Sequence, residues 1–270
     1  MEKKFERYGF GKRLKSMLLV DGKRLLVSPF YYIMVGISFV VPILILVMTT
    51  MMDGTVTVNP QTQQETVMEG FKNVWQIFGS VSANGSENAG MSMDLVSMCN
   101  INMLYFAVAV FVCIFISDDF RSGYAKNLFT VRAQKADYVI SKTVMGFIGA
   151  VTMFAAFFIG AMIGGGVAQL PFTMEGFTAG NILASMLAKV FISLIFVGVC
   201  VLASVIGKQK AWLSMVLSLG FGMLFFTMIP MLTPLDSGIL QVILCAVGGV
   251  LFAFGLGAIS NVVLKKTSLV

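Results

Sequence analysis

Apolar runs dominate the chain, and their lengths are set by where the charges fall. There are 28 uncharged residues between Arg24 and Asp53, 23 between Asp94 and Asp118, and 32 between Lys142 and Glu175. Three more windows cover 176–207, broken only by Lys189, then 211–235 and 237–264. A bilayer core of roughly 30 Å is crossed by about 20 apolar residues in helical form. Lipid offers backbone N–H and C=O groups no partner outside the segment, so such windows fold as helices. The pattern predicts an all-α polytopic membrane protein whose transmembrane domain, 29–264, holds six transmembrane helices. They fall at about 29–52, 96–117, 143–167, 180–206, 211–231 and 239–263.

The segments between the windows carry their own periodicity. In 1–28, Leu14, Met17, Leu18, Leu25 and Leu26 alternate with Lys12, Arg13, Lys15, Lys23 and Arg24. This predicts an N-terminal interfacial (elbow) helix on the inner leaflet, starting near Gly9 and Gly11 and turning into the membrane at Ser28 and Pro29. The loop 53–94 is the largest on the opposite side. Within it Val67, Met68, Phe71, Val74, Trp75 and Phe78 have helical spacing, predicting a short amphipathic helix with Trp75 at headgroup depth. The remaining connections are short, as between antiparallel neighbours in a bundle. Small residues four apart, such as Gly160 and Gly164 or Ser214 and Ser218, allow close helix contact.

Composition narrows the class. With 57% hydrophobic and 12% charged residues in 270, and a mean hydropathy of +0.89, too little polar surface remains for a soluble fold. The charges separate by side. Residues 1–28, 118–142 and the inner connections carry 17 basic and 6 acidic groups, whereas the other side has Lys72 against seven acids. The positive-inside bias then places both termini in the cytoplasm and the protein in the plasma membrane. The basic balance fits anionic membrane lipid as a partner and not nucleic acid. The first apolar window is too long for a signal h-region, so the first helix is expected to stay in the protein.

Candidate chemistry is sparse. The absence of histidine removes most zinc sites and His-based catalysis. No GxxxxGK[ST] phosphate loop occurs, so ATP cannot bind by that route. Cys99, Cys113, Cys200 and Cys245 lack metal-type spacing and read as small core residues. Every acid lies outside or at the edge of an apolar window, which counts against an ion-coupled carrier. Lys189 is the exception, about 12 Å along the fourth span if that span begins near Asn181. Facing lipid it would cost roughly 2.5 kcal/mol or more. It therefore lines a transport path together with Asn100 and Asn102, snorkels outward, or makes a structural hydrogen bond to one of those asparagines.

The most informative segment is the inner connection 118–141. Phe120, Tyr124, Leu128 and Val131 share one helical face, and Asp118 and Asp119 fall where they would suit the start of a helix from Asp118 to about Val131. Such a helix can dock in a groove of a soluble partner or lie on lipid. The order Asp119, Gly123, Lys126, Leu128-Phe129, Arg132 with Lys135, then Tyr138 with Lys142, resembles the loop of type-2 ABC transporter permeases. The six-span layout with its basic elbow helix resembles that family too, and is closest in look to bacterial peptide-toxin or antimicrobial-peptide exporter permeases. The match covers the chain in outline and some 25 residues in motif. It departs at Tyr124, where the family often has Thr, and in 130–135, which lacks the usual Pro.

The resemblance implies the membrane half of an ATP-driven exporter of amphipathic peptide or lipid-like cargo. It would not be an enzyme itself. A partner ABC ATPase would bind ATP and Mg, this chain would hold no cofactor, and a second copy or similar chain would complete the permease. The segment 118–131 would be the coupling helix. Its apolar Phe120, Tyr124 and Leu128 would fill the ATPase groove, with Asp119, Arg121 and Lys126 setting register at its rim and Asp118, Gly123 and Arg132 completing the ATPase-coupling segment. The competing classes are an ATP-independent channel or secondary carrier, and a membrane enzyme or assembly factor.

Overall fold

The computed structural model describes residues 9–58, 65–67, 70–79, 100–131, 134–173, 178–226 and 229–266. Nine α-helices lie among them: α1 (Phe10–Val27), α2 (Pro29–Met52), α3 (Leu104–Arg121), α4 (Tyr124–Val131), α5 (Lys135–Val167), α6 (Ala179–Gly207), α7 (Ala211–Phe226), α8 (Ile229–Leu232) and α9 (Ile239–Lys266). Five of the described helices are long and apolar enough to cross a membrane: α2, α3 with the 3-10 turn Ile101–Met103 before it, α5, α6 and α9. The chain is thus a helical multi-pass membrane protein.

The fifth of the six predicted spans, 211–231, takes a different form. Its helix α7 has 16 residues, about 24 Å at the α-helical rise. The chain restarts as α8 at Ile229, which puts Pro230 in a first turn, where its missing N–H is not needed.

α6 is the centre of the bundle, packing on α9, α7, α3 and α5, while α5 packs on α2 and α1. Close approach is allowed where the small residues sit. A Cβ at Gly160 would strike the Phe39 carbonyl, and one at Gly164 would lie 2.8 Å from the Ile43 Cα. Where α3, α6 and α7 meet, Cys113, Ser117, Cys200, Ser204, Ser214 and Ser218 are all buried, with Cys113 Sγ 3.3 Å from Ser218 Oγ. We call the end bearing α1 and α4 proximal and the other end distal.

The distal connection 53–94 differs from the predicted amphipathic helix. Val67 belongs to β2 (Glu65–Val67), which pairs antiparallel with β1 (Val56–Val58) in the register Val56 to Val67. Among the described residues of this connection only Val74–Phe78 is helical, as a 3-10 turn whose cap, the Asn73 side chain, accepts from Gln76 N. Phe71, Val74, Ile77 and Phe78 point into the bundle, Phe78 against Phe157 and Phe158. Gly165 leaves room for Val74, and Trp75 Nε1 donates to Phe172 O at 2.8 Å. The apolar set is therefore absorbed by the protein. Met68 and residues 80–99 lie outside the described residues.

Candidate functional site

At the proximal end the predicted helix from Asp118 to Val131 is two helices. Gly123, at φ +75°, separates α3 from α4, a conformation that costs glycine no Cβ clash. Asp118 and Asp119 therefore end α3 rather than start a coupling helix. Carboxylates there face the negative end of the helix dipole and need cations. Asp118 is exposed. Asp119 is fully buried and has its cations: Oδ1 lies 2.5 Å from Arg24 Nη1 and Oδ2 lies 2.7 Å from Lys142 Nζ. Tyr138 OH donates to the same Oδ2 at 3.0 Å.

A second buried acid, Asp21 of α1, completes the cluster. Its Oδ1 accepts from Lys142 Nζ at 2.8 Å, and its Oδ2 accepts from Ser141 Oγ at 2.5 Å. Arg24 Nη1 is 3.9 Å from Asp21. Two acids and two bases thus alternate, Asp21, Lys142, Asp119, Arg24, with no net charge. Buried ions are tolerated when paired and hydrogen-bonded in this way. Aromatic rings close the sides: Lys142 Nζ lies 4.5 Å from the Phe115 centroid, and Arg24 Cζ 4.1 Å from that of Tyr124. Burial opposes the Arg24 charge, but Asp119's attraction and hydrogen bond outweigh it, aided by Asp21, so its pKa is raised. Burial, with the negative charge of Asp21 next, raises the Tyr124 phenol too, despite Arg24.

Further proximal contacts tie α5 to its neighbours. Arg13 Nε donates to buried Asp137 at 3.0 Å, and Lys135 Nζ donates to Leu264 O at 2.6 Å near the end of α9. The acids thus sit at the margins of the apolar windows, as the sequence places them, but Asp21, Asp119 and Asp137 are buried there.

The expected docking face needs correction. Phe120 is 6% exposed and packs edge-on against Tyr138 within the chain's own core, so it cannot fill a partner's groove. Ala125 is buried, and Leu128 and Phe129 rest against the same core. Asp119, expected at a rim, is interior because its cations lie on α1 and α5. What α4 and the residues before it show outward is polar: Arg121, Ser122, Lys126, Asn127 and Thr130. Tyr124 is half-buried, and Arg132 lies outside the described residues.

Sequence reasoning missed Asp21 and Arg24. The signal for Asp21 is present: with Met17 and Leu25 it occupies one stripe at four-residue spacing, an acid amid apolar residues on the face that turns inward.

Distally, Lys189 is 1% exposed and does not snorkel. Its ammonium donates to Ser185 Oγ at 3.2 Å, Thr233 Oγ1 at 2.8 Å and the Thr233 carbonyl. The hydrogen-bond partners are thus neither Asn100 nor Asn102. Both asparagines are buried, and Asn100 caps the 3-10 turn by accepting from Asn102 N at 2.9 Å.

Among the described residues no three His, Cys, Asp or Glu side chains converge as metal ligands. No family model matches the chain, and neither does any curated protein or solved structure. The class defined is a polytopic helical bundle with a neutral buried charge cluster beneath a short proximal helix.

Proposed function

We propose that this chain is the permease subunit of an ATP-driven ABC exporter, moving an amphipathic peptide or lipid-like cargo across the plasma membrane. The proximal end is cytoplasmic in this reading, α1 is the elbow helix, and α7 with α8 provides the fifth of six spans. The observation that carries it is the mounting of α4. This eight-residue helix presents a polar face outward, while Tyr124 stacks on the same Arg24 that pairs with Asp119. A push on α4 would therefore reach α1, α3 and α5 together through charged contacts in an apolar setting, where geometry is strongly enforced. The secondary-carrier alternative has buried acids in its favour, but each lies at an end of the bundle and is already paired.

The test is reconstitution with an ABC ATPase encoded beside this gene. The purified chain alone should not hydrolyse ATP, and the complex should do so with cargo stimulation. Cargo movement down an ion gradient with no ATPase present would refute the exporter and establish the carrier.

A further inference from the structure

The described residues include five buried charged side chains: Asp21, Asp119, Asp137, Lys142 and Lys189. Four are matched by opposite charge, whereas the hydrogen-bond acceptors of Lys189 are all neutral. Among the described residues, the titratable group that interacts with its ammonium is the Cys245 thiol of α9. A neutral amide could donate two of these three hydrogen bonds, so hydrogen bonding accounts for most of the donors but not for the charge. An ammonium within a membrane span is costly until an anion joins it. Lys189 lies ten residues after Ala179, about 15 Å along α6 from its distal end.

Two connections between spans meet it. Thr233 directly follows α8, and Ser185 Oγ also donates to the Thr233 carbonyl, at 3.3 Å. Gly79, at φ +146°, lies against the ammonium beside the Thr233 carbonyl; a Cβ there would lie 3.4 Å from Nζ and 3.9 Å from Thr233 O. Tyr105 OH of α3 donates to the Lys189 carbonyl at 2.8 Å, which holds the lysine's own backbone in place. Thr233 and Gly79 both belong to connections between spans. Displacing Thr233 moves the connection after α8, whereas Gly79 is anchored by its neighbour Phe78 against Phe157 and Phe158 of α5.

We propose that the Lys189 ammonium is a binding site for the anionic group, carboxylate or phosphate, of a single-chain amphiphile, and that the Thr233 turn occupies this site when no ligand is bound. The bound anion would accept the donors now given to Thr233, and the 229–238 turn would be released. The proposal rests on the exporter reading only in taking the amphiphile to be cargo. Binding itself needs no ATPase, so its failure is distinguishable from failure to recruit one.

Hydrogen exchange of the full chain in neutral detergent tests this at the amides of Thr233 and Ser237, which are bonded within the turn to Ile229 O and Pro234 O. Laurate, dodecyl phosphate and dodecanol are added separately. An anionic probe should speed exchange there by about tenfold, the scale of one local opening contact, and dodecanol should not. Lys189→Gln keeps two donors but no charge, so it should stay slow and lose the response. Lys189→Met should exchange quickly with no ligand. A response to laurate alone makes the ligand a carboxylate, and one to dodecyl phosphate alone makes it a phosphate; either supports the site. Equal effects of dodecanol, an unchanged response in Lys189→Gln, or no response to either anion would overturn it. Slow exchange in Lys189→Met would show that the lysine does not hold the turn and would overturn that half of the proposal.

Discussion

Asp119 has three partners on two other helices, so its charge and its shape can be tested apart. Asp119→Asn keeps the volume but leaves Lys142 and Arg24 with one acid between them. Breaking a buried pair by removing one partner costs about 3–5 kcal/mol. Partial exposure of Arg24 puts the expected loss near the lower bound, about 3 kcal/mol. Adding Lys142→Met removes the orphaned charge and should recover roughly half of that loss, a non-additivity that marks direct coupling. Thermal unfolding of the two single variants and the double variant in detergent measures it. Additive losses would show that the two residues act independently. The raised pKa of Tyr124 means that its phenol stays neutral at ordinary pH, so it contributes a ring face to Arg24 and no charge.

At the scale of elements, α4 depends on the Gly123 break. No atom crowds a Cβ at that position, so Gly123→Ala tests backbone conformation without steric collision. The left-handed geometry should cost about 1–2 kcal/mol, with Gly123→Asn milder. A variant as stable as the parent would mean that the break is not enforced. The outward polar face of α4 also changes the expected character of docking. Arg121→Glu with Lys126→Glu should weaken ATPase association in pull-down, and wild-type association should fall as salt rises past about 0.15 M, as exposed ionic contacts do. Salt-independent association would return the docking role to apolar surface.

These elements show what the sequence discloses. Spans such as α2, α5, α6 and α9 are legible because an uncharged run of membrane length has few other folds. The α3–α4 break is hidden because Phe120, Tyr124 and Leu128 keep four-residue spacing across it. The distal loop misleads similarly, since helical spacing from Val67 to Phe78 spans a strand and a 3-10 turn. The charge cluster joins residues about 20 and 120 positions apart, a pairing that local pattern cannot announce.

For the whole molecule, orientation is the open quantity that charge asymmetry assigns. A Cys replacing Lys210 should be shielded from an impermeant thiol reagent in intact cells, and a Cys replacing Gly238 should react. The reverse labelling would invert the topology. α9 exposes Ile239 and Phe254 at 77% and 79%, a surface suited to lipid tails. The proximal cluster has one more consequence at this scale. Arg24 and Asp21 lie on the same helix, three residues apart, while Lys142 and Asp119 remain together across α5 and α3. Should α1 lift away, Arg24 can fold back onto Asp21, and each side departs electrically balanced. For these four residues α1 is thus a detachable clasp: undocking it exchanges their ionic partners, and the ion left to find a new partner is Asp137, which loses Arg13.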